Sequence, residues 1–305
     1  MSEPSRGSRR ERLYSSLEQL RQIGAEQRLA NDPLSFCHTF SDPLDQEIAA
    51  VLASSFAYGN VRIILRSLTA LFAPLGESPR SYVEQFTPSR GREDFRGFKH
   101  RFNDSRDLVA LLWGLRQMIS RSGSIQAFFL EGYAEDDDDI GRSLARYSAS
   151  ALSLDYRAVF GGQTIPADSY FPFLFPSPAS GSACKRLCMM LRWLVRPADG
   201  VDLGLWQGVS PARLVIPVDT HICRIGRYLG LTGRKTADWR MAREITASLR
   251  ALDPDDPLKY DFALAHIGIS DGCNGKNIAE CAACRISSIC EQSLKLTPPP
   301  LSDIE

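Results

Sequence analysis

Residues 104–119, DSRDLVALLWGLRQMI, set the fold class. Leu108, Leu111, Leu112, Leu115, Met118 and Ile119 recur at i, i+3, i+4, i+7, i+10 and i+11. That spacing lines them up on one face of an α-helix and fits no strand, whose period is two. Asp104 and Ser105 stand ahead of the stripe as N-cap candidates, because their side-chain oxygens accept from unpaired N–H groups of a first turn. The same periodicity predicts helices near 9–29, 44–57, 60–74, 138–160, 180–195, 220–230, 237–251 and 257–269. Alternating strand patterns and long repeats are missing. The expected fold class is all-α.

The length of 305 residues suits two domains or one large one, at about 150 residues per domain. An apolar fraction of 44% with 24% charged residues excludes disorder and collagen-like structure for the bulk of the chain. Lys plus Arg total 36, as do Asp plus Glu, so bulk charge argues neither for nor against a nucleic-acid partner. The longest uncharged stretch, Ser169 to Cys184, carries three prolines and a glycine and is no membrane span. The first residues, MSEPSRGSRRERLYSS, lack the apolar segment of a secretory signal, so a cytoplasmic protein is expected. The run Asp136–Asp139 reads as a loop entering a helix at Ile140, where carboxylates favour the positive end of the helix dipole. Residues 161–181 read as an ordered connector whose Tyr170, Phe171, Phe173 and Phe175 bury much surface. The tail 292–305 is expected to fray.

Four of the eight cysteines, Cys273, Cys281, Cys284 and Cys290, fall within 18 residues with the spacing C-x7-C-x2-C-x5-C. Such clustering in a large chain indicates metal ligation rather than a disulfide frame. Zinc sites usually pair cysteines twice at close spacing. One C-x2-C pair between two distant cysteines better suits a cubane iron–sulfur cluster, where each thiolate meets its own iron. Zinc is the alternative. Either way the loop acts as a staple on the C-terminal segment. A working electron carrier is a poorer reading, since no second cofactor motif accompanies it.

The segment 216–230, IPVDTHICRIGRYLG, predicts a helix capped by Asp219 and ended by Gly230, with Ile222, Ile225 and Leu229 on its apolar face. The dipole keeps that carboxylate ionised. An ionised carboxylate at the lip of a cleft is what a glycosidic-bond reaction needs, to stabilise an oxocarbenium-like centre or orient a nucleophile. Within 180–195 the apolar face is Ala183, Leu187, Met190, Leu191 and Leu194. Lys185, Arg192 and Arg196 run down the other side, with Arg186 beside them, and the expectation is an exposed basic face. Gly181 and Ser182 at the start of this segment are small enough for a phosphate to approach backbone N–H groups. A lysine at that position, partly desolvated, has a lowered pKa and is a competent nucleophile. His221 is a candidate phosphate contact, and His266, in an apolar helix, is expected in the core.

Val218-Asp219-Thr220-His221, the helix after it and the cysteine quartet together resemble the helix-hairpin-helix DNA glycosylases of the endonuclease III superfamily. Those proteins carry a catalytic aspartate in a V-D-T-H context and a [4Fe–4S] loop whose first cysteine gap is one residue shorter than here. The resemblance covers roughly residues 180–291. The stretches PSPASGSACKRL and DPDDPLKYDFALAHIGI are similar to an uncharacterised bacterial branch of that superfamily. Lys185 matches the Schiff-base lysine. Ser177–Ser182 stands where the family has its L-P-G-x-G hairpin, and 34 residues separate Lys185 from Asp219. The archaeal 8-oxoguanine glycosylases, with a similarly long separation and an atypical hairpin, are the nearer analogue.

The resemblance implies a two-lobed helical fold, with residues 43–211 as one lobe holding Lys185. Residues 1–42 plus 212–305 form the other, holding Asp219 and the cysteines. It also implies a monomer that acts on double-stranded DNA with a damaged base, as a glycosylase with lyase activity. Arg186, Arg192, Arg196, Gly181, Ser182 and His221 are then the candidate DNA contacts. A non-catalytic DNA-binding protein on the same scaffold is the alternative.

Overall fold

The computed structural model describes residues 8–296, with Gly24 and Gln163 excepted. Nine helices of nine or more residues dominate the described residues. They are α1 (Arg9–Arg21), α2 (Pro43–Phe56), α3 (Val61–Phe72), α4 (Ser105–Ser122), α5 (Gly141–Leu152), α6 (Lys185–Val195), α7 (Thr220–Tyr228), α8 (Trp239–Arg250) and α9 (Asp261–Ile269). The one sheet among the described residues is a hairpin of two-residue strands, β1 (Lys99–His100) and β2 (Asn103–Asp104). The fold is all-α in class. Of the tail expected to fray, residues 292–296 belong instead to a short helix, Glu291–Leu296, and residues 297–305 lie outside the described residues.

Local chemistry explains most of the helix starts. Asp104 and Asp107 form a reciprocal capping box on α4, each carboxylate accepting from the other's backbone N–H. All six residues of the α4 stripe are buried, as the spacing requires. Asp42 caps α2 ahead of Pro43, whose fixed φ suits the first helical position. Asn60 caps α3, and Asp238 caps α8.

Helix α2 is the axle of the fold. From Glu47 to Phe56 every residue is buried, and it packs against α6 and the 3₁₀ turn Pro33–Thr39. Helix α4 packs on the short helices Pro79–Glu84, Pro88–Asp94 and Ile125–Leu130, while α7 packs on α9 and α1 on α9. The buried apolar side chains form one continuous cluster running from Leu13 to Ile289.

Three local expectations are corrected. The segment 180–195 turns helical only at Lys185, because Cys184 adopts a left-handed conformation (φ 48°) and Pro178–Ser180 forms a separate 3₁₀ turn. The segment 138–160 is two helices, α5 and Arg157–Phe160, broken at Ser153–Tyr156. In the 161–181 connector Phe171 and Phe175 are buried, but Tyr170 and Phe173 are exposed. The acidic run does lead into α5: Asp139 accepts from the Gly141 N–H, and Asp137 pairs with Arg142 and Arg146.

Candidate functional site

Asp219 is fixed by its own helix. Its Oδ1 accepts from the backbone N–H of His221 at 2.8 Å and of Ile222 at 2.9 Å. Val218, Ile222 and Ile225 are buried on either side of it and hold the start of α7 against the core. Oδ1 is committed to the cap. Oδ2 has no hydrogen-bond partner among the described residues and is available to a reactant.

Lys185 opens α6. Its side chain is part-buried, and Nζ donates to the carbonyl of Ala57 at 3.1 Å, just past the end of α2. Burial lowers the Lys185 pKa below the usual lysine range, against the opposing pull of the Asp219, Asp32 and Asp261 carboxylates. Lys185 makes no ion pair within 4.0 Å among the described residues. Its charge is thus desolvated without a close counter-ion, which favours the neutral amine.

Lys185 and Asp219 line the same crevice, of about 660 Å³. Its walls come from residues 57–61 after α2, from α6, from the start of α7, from α9, and from Asn31–Pro33. His221 lies on one wall with its ring packed on Gly268 of α9. A Cβ at Gly268 would stand 2.3 Å from the His221 Nδ1, so only glycine lets α7 and α9 approach this closely.

Three further crevice groups were not singled out in the sequence. Asp32 caps the Pro33–Thr39 turn through the Leu34 N–H, at 2.9 Å. Burial opposes its charge, but the His266 ring and that N–H hold its pKa below the ordinary range. Asp261, at the start of α9, is 3% exposed and receives Arg192 at 2.6 Å on Oδ2, while its Oδ1 is buried without a partner. Burial pushes its pKa up to about 6, against Arg192. The Ala57 carbonyl is the third. An Asp-Pro pair and an Asp heading an apolar helix are legible cap signals, but nothing local says that both face Lys185. His266 is in the core as expected, with Nδ1 on the Ser270 hydroxyl at 2.7 Å.

The expected basic face does not exist. Arg192 and Arg196 are 4% and 3% exposed. Arg192 binds Asp202 and Asp261, and Arg196 binds Asp199, Asp202 and Asp256. Arg186 is also buried, donating to the carbonyls of Ser55 and Phe173 and packing over the Phe173 ring at 4.1 Å. All three spend their guanidinium donors inside the protein, so their assignment as phosphate contacts is withdrawn. Gly181 is exposed and Ser182 part-buried, its hydroxyl accepting from the Cys184 N–H at 3.2 Å. Neither lines the crevice.

Cys273, Cys281, Cys284 and Cys290 line a second cavity, of about 390 Å³. Asn277 caps the short helix Ile278–Ala283 that carries Cys281, and Cys290 follows the turn Ser287–Ile289. Burial raises the pKa of Cys281 and of Cys284, and in both cases the nearby Cys273 and Cys290 thiols add to the shift. The four sulfurs therefore surround one space. Among the described residues no group of three His, Cys, Asp or Glu side chains stands ready to grip a single ion. The other four cysteines do not line this cavity, and Cys37, Cys184 and Cys188 are sealed in the core.

The fold and site define an all-helical protein with a lysine–aspartate crevice and a separate four-cysteine pocket. A family model described as "Protein of unknown function (DUF2400)" matches residues 32–270, and the chain belongs to that family. The matched stretch contains both Lys185 and Asp219 and stops ahead of Cys273. No curated protein and no solved structure matches the chain. No described helix is long and apolar enough to cross a membrane.

Proposed function

We propose that the protein is a DNA base-excision glycosylase with associated lyase activity, acting on duplex DNA with an oxidised base such as 8-oxoguanine. One observation carries the reading: Lys185 and Asp219, 34 residues apart in sequence, face one crevice of about 660 Å³. That volume lies in the usual range for a small-molecule pocket and suffices for an extruded nucleotide. A duplex hides its glycosidic carbons, so the enzyme must flip the target out of the stack. Lys185, whose neutral form is favoured by burial, attacks the sugar C1′ through that form. The C1′–N bond breaks, and the base leaves with the bonding pair and takes up a proton. One amine proton goes to solvent and the sugar O4′ takes up a proton as the C1′–O4′ bond breaks, leaving a protonated Schiff base; loss of a C2′ proton to solvent then expels the 3′ phosphate as the C3′–O bond breaks. The free oxygen of Asp219 orients the amine and stabilises positive charge on the sugar. The residues 43–211 and the remainder of the chain are the two lobes of this reading, and the protein acts as a monomer.

Cys273, Cys281, Cys284 and Cys290 are proposed to hold a [4Fe–4S] cluster, with zinc as the alternative. One C-x2-C pair between two more distant cysteines suits a cubane, in which each thiolate meets its own iron. When bound, the group cross-links the C-terminal loops.

Borohydride trapping on duplex DNA with an abasic site or 8-oxoguanine tests the proposal. A covalent adduct that disappears in Lys185→Gln is expected. Duplex binding with no adduct under any lesion overturns the enzymatic reading and leaves a DNA-binding scaffold.

A further inference from the structure

The chain that forms one wall of the Lys185 crevice, residues 57–61, continues on its outer side into a cluster of exposed aromatic rings. Phe102 sits at the tip of the β1–β2 hairpin and is 46% exposed; Tyr170 is 51% exposed. Their rings stack at 5.4 Å with 21° between planes. Phe102 is also near-parallel to Tyr58, at 6.5 Å and 10°. Phe173, 41% exposed, meets Tyr58 and Phe102 edge-on.

This ladder is held rigidly. The Tyr58 hydroxyl donates to the His100 carbonyl and to Asn103 Oδ1, and the Asn103 amide donates to the Tyr170 carbonyl and to Asp107. Arg101, next to Phe102, is held in the left-handed region at φ 52° with its guanidinium over the Tyr58 and Phe102 rings. It has no carboxylate partner among the described residues. Gly59 makes room for it, since a Cβ there would lie 2.8 Å from the Arg101 side chain. A strained cation and several solvent-facing rings cost stability and do nothing for the core.

We propose that Phe102, Tyr170 and Arg101 form a platform on which an unpaired nucleobase of the bound strand stacks, with Arg101 on its phosphate. The inference rests on the reading that the crevice takes DNA. Flat faces select a planar ring, and an unpaired guanidinium beside them selects an anion; a nucleotide supplies both. The platform adjoins the crevice, so the base it receives is a neighbour of the extruded one.

The test uses the full chain and two fluorescein-labelled 12-mers, oligothymidylate and an all-abasic tetrahydrofuran strand, read by anisotropy. Thymine stacks weakly on itself, and the abasic strand keeps the phosphates. The wild type is expected to bind the thymidylate strand at least about tenfold tighter than the abasic one. Phe102→Ala with Tyr170→Ala is expected to erase that difference and leave abasic binding unchanged. Phe102→Trp, which keeps a stacking face, is expected to preserve it. Arg101→Ala should weaken both strands and cut the salt slope by about one. Equal binding of the two strands by the wild type, no binding of either, or a base-dependent difference that survives the double substitution overturns the platform. Borohydride trapping is run in parallel. Base-dependent binding without a Lys185 adduct supports the platform and sinks the glycosylase. An adduct without base-dependent binding sinks the platform alone.

Discussion

Arg192 and Asp261 are joined at 2.6 Å beneath the crevice, tying α6, which carries Lys185, to α9, which packs on the helix of Asp219. Both side chains are almost fully buried, and Asp202 holds the other side of the guanidinium at 3.1 Å. Removing one partner strands a charge in low dielectric. Arg192→Ala is expected to destabilise the protein by about 3–5 kcal/mol, and Arg192→Met, of similar volume, by a comparable amount because Asp202 and Asp261 remain. Urea unfolding checks this; a loss below about 1 kcal/mol would mean the network is dispensable.

Asp261 gives the same network a pH dependence. Its folded pKa, about 6, lies above the ordinary aspartate value. Between about pH 4 and 6 the folded state therefore binds a proton that the unfolded chain has released, and stability falls as pH rises through that window. Asp261→Asn should flatten the slope there. Unfolding free energies of the wild type and Asp261→Asn at pH 4, 5, 6 and 7 decide it, and two indistinguishable slopes would refute the assignment.

The same residues show where sequence reading succeeds and where it stops. Asp219 is legible as a cap because its partners, the N–H groups of His221 and Ile222, are two and three residues away. The α4 stripe is legible because a helix writes its buried face into local spacing. Arg192 and Arg196 look like an exposed basic stripe because two of the carboxylates that neutralise them, Asp261 and Asp256, lie 69 and 60 residues downstream. Asp202 and Asp199 are closer in sequence, but their pairing depends on how the loop after α6 folds back. Period and caps are local physics; charge pairing and crevice walls are tertiary. Asp32, Asp261 and the Ala57 carbonyl stayed hidden for that reason.

Lys185 predicts the pH dependence of the chemistry. Because burial depresses its pKa, the neutral amine becomes abundant below the usual lysine range. Adduct formation under single-turnover conditions should rise with pH and level off below the ordinary lysine value. Asp219→Asn should cut the rate by about 10²-fold or more and leave the Asp219 cap intact, since an asparagine oxygen still accepts from His221 and Ile222. A rate that climbs steadily to pH 10.5 would show an unperturbed lysine.

The cysteine pocket predicts a colour and a stability increment. Anaerobically purified protein should be brown, with absorbance that vanishes on acidification; a colourless protein containing one zinc would select the alternative. Cys284→Ser should lose the absorbance. Opening an 18-residue loop should cost about 3 kcal/mol by chain entropy. The loss should be confined to α1, α9 and the C-terminal loops around the pocket, because α1 packs against both α9 and the Ser287–Ile289 turn. Hydrogen exchange reads that localisation.

Gly268 tests whether crevice geometry, rather than the mere presence of its residues, matters. A Cβ there would fall 2.3 Å from Nδ1 and 2.7 Å from Cβ of His221. The first atom could swing away with the ring, but the second is bound to the α7 backbone, so the helices themselves must separate. Over-packing of this kind costs about 1–3 kcal/mol. The shift falls on the first turn of α7, where Asp219 is fixed by two N–H groups, and so moves the carboxylate relative to Lys185. Gly268→Ala is therefore expected to fold, to melt a few degrees lower, and to lose adduct formation by about 10²-fold, since a displacement near 1 Å at a reacting centre has that effect. Adding His221→Gly, which removes Cβ along with the ring, should relieve the clash and restore stability to within the roughly 1 kcal/mol that a helical glycine costs. If adduct formation returns with it, the defect was the position of Asp219; if stability returns and adduct formation does not, the His221 ring itself takes part in the site.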